Sequence, residues 1–166
     1  MRKTFAAGAL AAALALAGTA TAGAGGATIG PDGYKGLHLG QTAAEAEATG
    51  LLVDRQPGEC TRYYLNPSEG TQNPGGGVWI DQRVGLVFVS GTERTHTPEG
   101  ITMGSTLDQV REAYPQLRPV PPTDYVYTAD VPGHPGANYR FAVDEQQRVR
   151  DYGVNADDMG TCASQP

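Results

Sequence analysis

The chain has 166 residues, with 12 Lys and Arg against 18 Asp and Glu, and a formal net charge of −6. That length holds one domain or two very small ones. That charge disfavours nucleic acid and anionic membranes as partners.

Residues 1–22 read as a signal peptide. Arg2 and Lys3 supply a positive start, and residues 5–17 are uncharged and rich in Ala and Leu. That run is shorter than the roughly 20 apolar residues of a membrane span. Ala20-Thr21-Ala22 offers the small residues of a cleavage site. No cysteine follows it, so no lipid anchor is expected, and no later segment is apolar enough to cross a membrane. The expectation is a secreted or extracytoplasmic protein with no membrane anchor. Residues 23–33 are Gly-rich and read as a flexible lead-in.

Residues 34–90 and 100–154 read as two copies of one unit, joined by a polar linker, 91–99. Gly36-Leu37-His38-Leu39-Gly40-Gln41-Thr42 aligns with Gly100-Ile101-Thr102-Met103-Gly104-Ser105-Thr106. Thr42 with Glu45 and Thr106 with Gln109 have the spacing of capping boxes. They predict helices over 43–49, stopped by Gly50, and over 107–114, stopped by Pro115. Period-two patterns predict strands over 60–65, 77–81 and 84–90, then over 124–129, 138–144 and 148–154. Asp81 and Asp144 fall at equivalent tight turns. Residues 155–166 read as a solvated tail. The fold class expected is α+β: two tandem helix-plus-antiparallel-sheet repeats packed as one small domain, with six or more strands in one sheet or two abutting sheets.

The motif running from Tyr34 to Thr42, followed by a short helix and an antiparallel sheet, resembles the repeat of β-lactamase inhibitory protein. It also looks like the small lipoprotein of the outer-membrane β-barrel assembly machine. Gln41 and Ser105 stand where that pattern usually has Met. The inhibitor's enzyme-contacting residues do not map onto this chain one by one, so inhibition is not implied. The resemblance implies the fold and a sheet face with loops that bind proteins.

Cys60 and Cys162 form an even pair, which in an exported chain predicts one disulfide. The three histidines, His38, His96 and His134, are far apart in sequence and none has zinc-motif spacing. No serine sits in a nucleophile elbow, and Gly75-Gly76-Gly77 lacks the Lys of a phosphate loop. No catalytic set, metal or cofactor is expected. The aromatic residues are the remaining lead, because Tyr, Trp and Arg dominate binding hot spots. Trp79, Tyr125, Tyr127 and Tyr152 are the candidate binding residues, on the sheet face turned away from the helices. The loops 66–76 and 130–137 are expected to border it. The function expected is a non-catalytic module that binds an unidentified extracytoplasmic protein. Alternatives are a glycan or small-ligand binder of the cell envelope, and an enzyme with an unrecognised site.

Overall fold

Both helices form where the sequence caps them. The Glu45 amide donates to the Thr42 hydroxyl and the Thr42 amide returns a bond to the Glu45 carboxylate; Thr106 and Gln109 repeat the exchange. Each box satisfies amides that a helix start otherwise leaves open. The helices are short, one of six residues and one of seven. Helices of that length are marginal alone and depend on packing.

A computed structural model describes residues 27–164. The expected signal peptide, residues 1–22, lies outside the described residues. In chain order the elements are β1 (Ala27–Thr28), β2 (Gly33–Tyr34), β3 (Leu37–His38), α1 (Ala43–Ala48), β4 (Leu52–Gln56) and β5 (Cys60–Leu65). A 3₁₀ turn (Pro67–Glu69) then leads to β6 (Val78–Asp81), β7 (Gly85–Ser90), β8 (Thr95–His96) and α2 (Leu107–Ala113). The chain continues with β9 (Arg118–Pro119), β10 (Val126–Asp130), β11 (Ala137–Val143), β12 (Val149–Ala156) and a C-terminal 3₁₀ segment (Gly160–Ser164).

Eight strands make one sheet in the order β4-β5-β6-β7-β12-β11-β10-β9, and every pairing in it is antiparallel. The pairing of β7 with β12 closes the sheet: Phe88 faces Asn155, Val89 faces Val154 and Ser90 faces Gly153. The mixed α+β domain is therefore present, but as one continuous sheet with little helix. It does not divide into two separate helix-and-sheet bodies. The physical reason is size: half of this chain has too little surface to bury a core of its own.

The main core lies between the sheet and the helices. It joins Ala46 of α1 and Leu107 and Val110 of α2 to Leu86, Val89, Tyr139, Phe141, Tyr152 and Val154. Segments read from sequence as solvated also enter the structure. Ile29, just after β1, is wholly buried, and β1 pairs in parallel with β8, inside the expected linker. Thr92, Thr95 and Thr97 of that linker are buried too. The expected tail contains the end of β12 and the buried Cys162.

Two matching local arrangements anchor the strands to the loops before the helices. The Gly40 amide donates to Leu86 O and the Leu86 amide to Gln41 O; the Gly104 amide donates to Val149 O and the Val149 amide to Ser105 O. The turns at Asp81 and Asp144 match as well. In each, one carboxylate oxygen accepts two backbone amides, from Arg83 and Val84 or from Gln146 and Arg148.

Candidate binding face

Strand alternation sends a second set of side chains to the face away from the helices. Arg62, Trp79, Phe88, Asn155 and Asn138 lie in register across β5, β6, β7, β12 and β11. A second row runs Ser90, Gly153, Arg140, Thr128 and Arg118. The register shifts between Trp79 and Ile80, so that Trp79 faces Phe88 while Ile80 faces Leu86. This bulge leaves Val87 unpaired and lets Val87 and Phe88 both join Trp79 in a small second core with Cys162.

Two guanidinium groups flank a pair of rings on the face. The Arg62 guanidinium lies 4.9 Å from the Trp79 ring centroid, Trp79 meets Phe88 edge-on at 5.0 Å, and Arg140 lies 5.9 Å from the Phe88 ring. Such contacts are attractive because the ring face carries partial negative charge. Gly153 makes room for this stack. A Cβ there would sit 2.8 Å from Phe88 Cε2 and 2.3 Å from Val89 O, so bare backbone is required.

A groove of about 550 Å³ opens over these strands. One wall is the segment before β10, with Val120, Pro122 and Tyr125; the other is the C-terminal segment, with Met159 and Cys162. Its floor includes Phe88, Arg140 and Asn155. The second wall is held in two ways. Cys60 and Cys162 form a disulfide with a Cα–Cα distance of 5.0 Å, within the normal range. The Asp81 carboxylate also accepts from the Thr161 hydroxyl and amide at 2.6 and 2.7 Å. Those bonds, with the amides of Arg83 and Val84, hold the Asp81 carboxyl well below the usual carboxylate range. The disulfide belongs to an oxidising, extracytoplasmic environment.

Beside the groove, Asp151 is buried under the glycine loop that precedes β6. The Asn73 side chain ties this loop down by donating to Arg150 O. A Cβ on Gly76 would lie 2.4 Å from Ser90 Oγ and 3.0 Å from Asp151 Oδ1, which explains a glycine at that position. Burial pushes the Asp151 carboxyl up to about 6, against the pull of Arg140 and Arg150. Arg140 is 3.4 Å from Asp151 Oδ2, whereas Oδ1 is buried without a hydrogen-bond partner. Arg150 in turn lies 5.4 Å from the Tyr125 ring.

The four expected aromatic residues do not share a face. Trp79 is on the groove side but only 6% exposed, with its indole N–H donating to Gly76 O. Tyr125, at 43% exposure, stands on the groove rim. Tyr127 packs against the main core, on the helix side. Tyr152 is wholly buried there, paired with Phe141, and its hydroxyl bonds Thr95 Oγ1 at 2.6 Å. Tyr125 and Tyr127 separate because β10 begins at Val126, so Tyr125 precedes the regular alternation. Phe88, Arg118, Arg140 and Asn155 complete the site. Phe88 was hidden by the bulge, which no pattern announced.

The loop preceding β6 borders the face as expected. The loop of residues 131–137 instead meets the β2–β3 hairpin at another cavity. Among the described residues, no group of three or more His, Cys, Asp or Glu is placed to hold a metal ion. No helix among them is long and apolar enough to cross a membrane.

No known family model matches this chain, and no curated protein matches it. Among solved structures it is similar to the uncharacterized protein yfeY of Escherichia coli, at 9% sequence identity and a TM-score of 0.49, over 78% of this chain and 99% of that one.

Proposed function

We propose that this chain is an exported, non-catalytic binding module that recognises another protein through the groove on the sheet face away from its helices. The observation that carries this reading is Tyr125. Among the described residues it is the large hydrophobic side chain left exposed, and it stands on the groove rim beside Arg150. Exposed aromatic surface next to guanidinium groups is the composition of protein-binding hot spots. The lining is aromatic, aliphatic, amide and guanidinium, which suits a protein loop. A glycan platform is less well supported: Arg62 covers Trp79, and Trp79 and Phe88 meet at 60° rather than as coplanar rings.

The same reading takes residues 1–22 as a cleaved signal peptide and residues 34–90 and 100–154 as tandem copies. The paired capping boxes, the matched Gly40 and Gly104 anchors and the matched Asp81 and Asp144 turns support the duplication.

The test is capture from envelope extract and culture supernatant with the disulfide-bonded protein, followed by cross-linking of the captured pair. Cross-links should map to the groove walls. Tyr125→Ala should weaken binding by ~2 kcal/mol, a loss of about 30-fold. A partner whose cross-links lie on the helix side, and whose affinity survives Tyr125→Ala with Arg140→Ala, would refute the site.

A further inference from the structure

The chain is acidic, with a net charge of −6, but its charges are segregated. On the helix side, α1 carries Glu45 and Glu47, and α2 carries Asp108, Arg111 and Glu112. On the other side, among the described residues, the charged side chains lining the groove are Arg118 and Arg140. Arg150 adds a third cation at the rim, over the Tyr125 ring.

Strand register sets the two lining cations on either side of a small residue. Thr128 of β10 faces Arg140 of β11 on one side and Arg118 of β9 on the other. Directly paired residues point to the same face of a sheet, and neighbouring strands lie about 4.8 Å apart. The two Arg side chains therefore start roughly 10 Å apart with a Thr between them. Each has one acid partner that leaves it able to bind another. Arg118 Nη2 lies 2.7 Å from Asp130 Oδ1, but both side chains are half exposed or more, and such pairs are weak in water. Arg140 Nη1 lies 3.4 Å from the buried Asp151 carboxylate, a long contact. A guanidinium has five N–H donors, so neither group is saturated by one carboxylate oxygen.

We infer that the occupant of the groove is an acidic segment of a partner protein, with a carboxylate between Arg118 and Arg140 and an apolar side chain against Val120, Tyr125 and Met159. The inference rests on the reading of the groove as a protein-binding site and names the chemistry of its ligand. A guanidinium holds a carboxylate through two parallel N–H bonds, which fixes position as well as charge. Two cations in the lining also reject a basic segment. The apolar wall takes the residue beside the acid.

The test uses three pools of fluorescein-labelled nonapeptides and the full disulfide-bonded chain, read by fluorescence polarisation. One pool carries two glutamates around a central leucine, phenylalanine or tyrosine; the others carry glutamine or lysine in place of glutamate. The glutamate pool should bind at least ~10-fold more tightly than the glutamine pool, and the lysine pool should bind least. Arg118→Gln and Arg140→Gln should each weaken the glutamate pool ~10-fold, and salt at about 0.5 M should weaken it in the parent. Arg111→Gln, on α2, should leave affinity unchanged. Thermal melts check folding, and the half-exposed Arg118 carries the test alone if Arg140→Gln does not fold. Equal binding of the glutamate and glutamine pools, or full affinity in Arg118→Gln, overturns the inference; loss of that binding in Tyr125→Ala would still leave a protein-binding groove. Absence of binding by every pool up to about millimolar also overturns it, and capture with cross-linking then decides the broader reading separately. A heparin fragment that binds where the glutamate pool does not would overturn both. A parent that sediments as a dimer, with Arg118→Gln a monomer, would put a second copy in the groove and overturn the inference.

Discussion

Replacing both Cys60 and Cys162 by Ala should cost stability through the unfolded chain more than through the folded one. The bridge spans 102 positions, and a loop of that size is worth up to about 4.7 kcal/mol of closure entropy. With an unfolding entropy of about 2.1 cal/mol/K per residue over roughly 140 residues, that is a fall in Tm of up to about 16 °C. Bridges commonly deliver less than the loop model, so a drop of roughly 8–16 °C is expected. The folded state should change little, because Asp81 still holds Thr161 by two hydrogen bonds. Trp79 is the single tryptophan and packs in the same small core as Cys162, so its emission reports on both states. The assay is thermal and guanidinium unfolding followed by Trp79 fluorescence. A Tm within about 2 °C of the parent would refute the loop-entropy reasoning. A red-shifted emission in the native baseline would instead show that the C-terminal segment detaches and that Asp81 does not hold it.

Asp151 should make the protein more stable at mildly acid pH. Its folded-state carboxyl titrates at about 6 against an unfolded value near 3.9, so the folded state holds the extra proton between those values and stability falls as pH rises through that window. The expected loss is roughly 2–3 kcal/mol from pH 4 to pH 7, and Asp151→Asn should remove it in urea midpoints taken across the range. Gly153→Ala places a Cβ against the backbone of β7 and should cost about 3 kcal/mol, read as a lower urea midpoint at unchanged slope. Tyr152→Ala should cost ~3–5 kcal/mol of stability, while Tyr125→Ala stays within about 0.5 kcal/mol of the parent. Equal losses at the two tyrosines by chemical denaturation would contradict their assignment to core and rim.

The features legible in the sequence were those set by neighbours along the chain. Thr42 and Thr106 specify helix starts through residues three positions on, and Asp81 and Asp144 specify turns through amides within four. The strand runs around Trp79, Phe88 and Phe141 follow period two, and the cysteine pair left one intramolecular disulfide to choose. Features set by long-range pairing were not legible. Whether Tyr152 faces inward depends on its register against Phe141, and one residue of slip reverses it. The bulge beside Trp79 moves Phe88 to the groove without any glycine or proline to mark it. Thr92, Thr95 and Thr97 read as polar linker because their buried hydrogen bonds are made to one another and to distant elements, Tyr152 among them. His38 and His134 have no motif spacing, and the fold alone places both at one cavity.

The pairing of β7 with β12 also bears on synthesis. Gly85–Ser90 is a run of six buried residues without a charge, and on the side away from β6 its last three residues pair with Gly153–Asn155. During N-to-C emergence β7 has β6 on one side; on the other, Leu86 bonds Gly40 and Gln41, while Phe88–Ser90 wait for about 60 more residues. At translation speeds that wait lasts roughly 3–12 s. For that interval the nascent chain carries an open, uncharged, β-branched strand edge, the kind of template on which other chains add strands. A charge at Val87 or Val89 would guard the edge in transit, and would then be buried in the finished sheet.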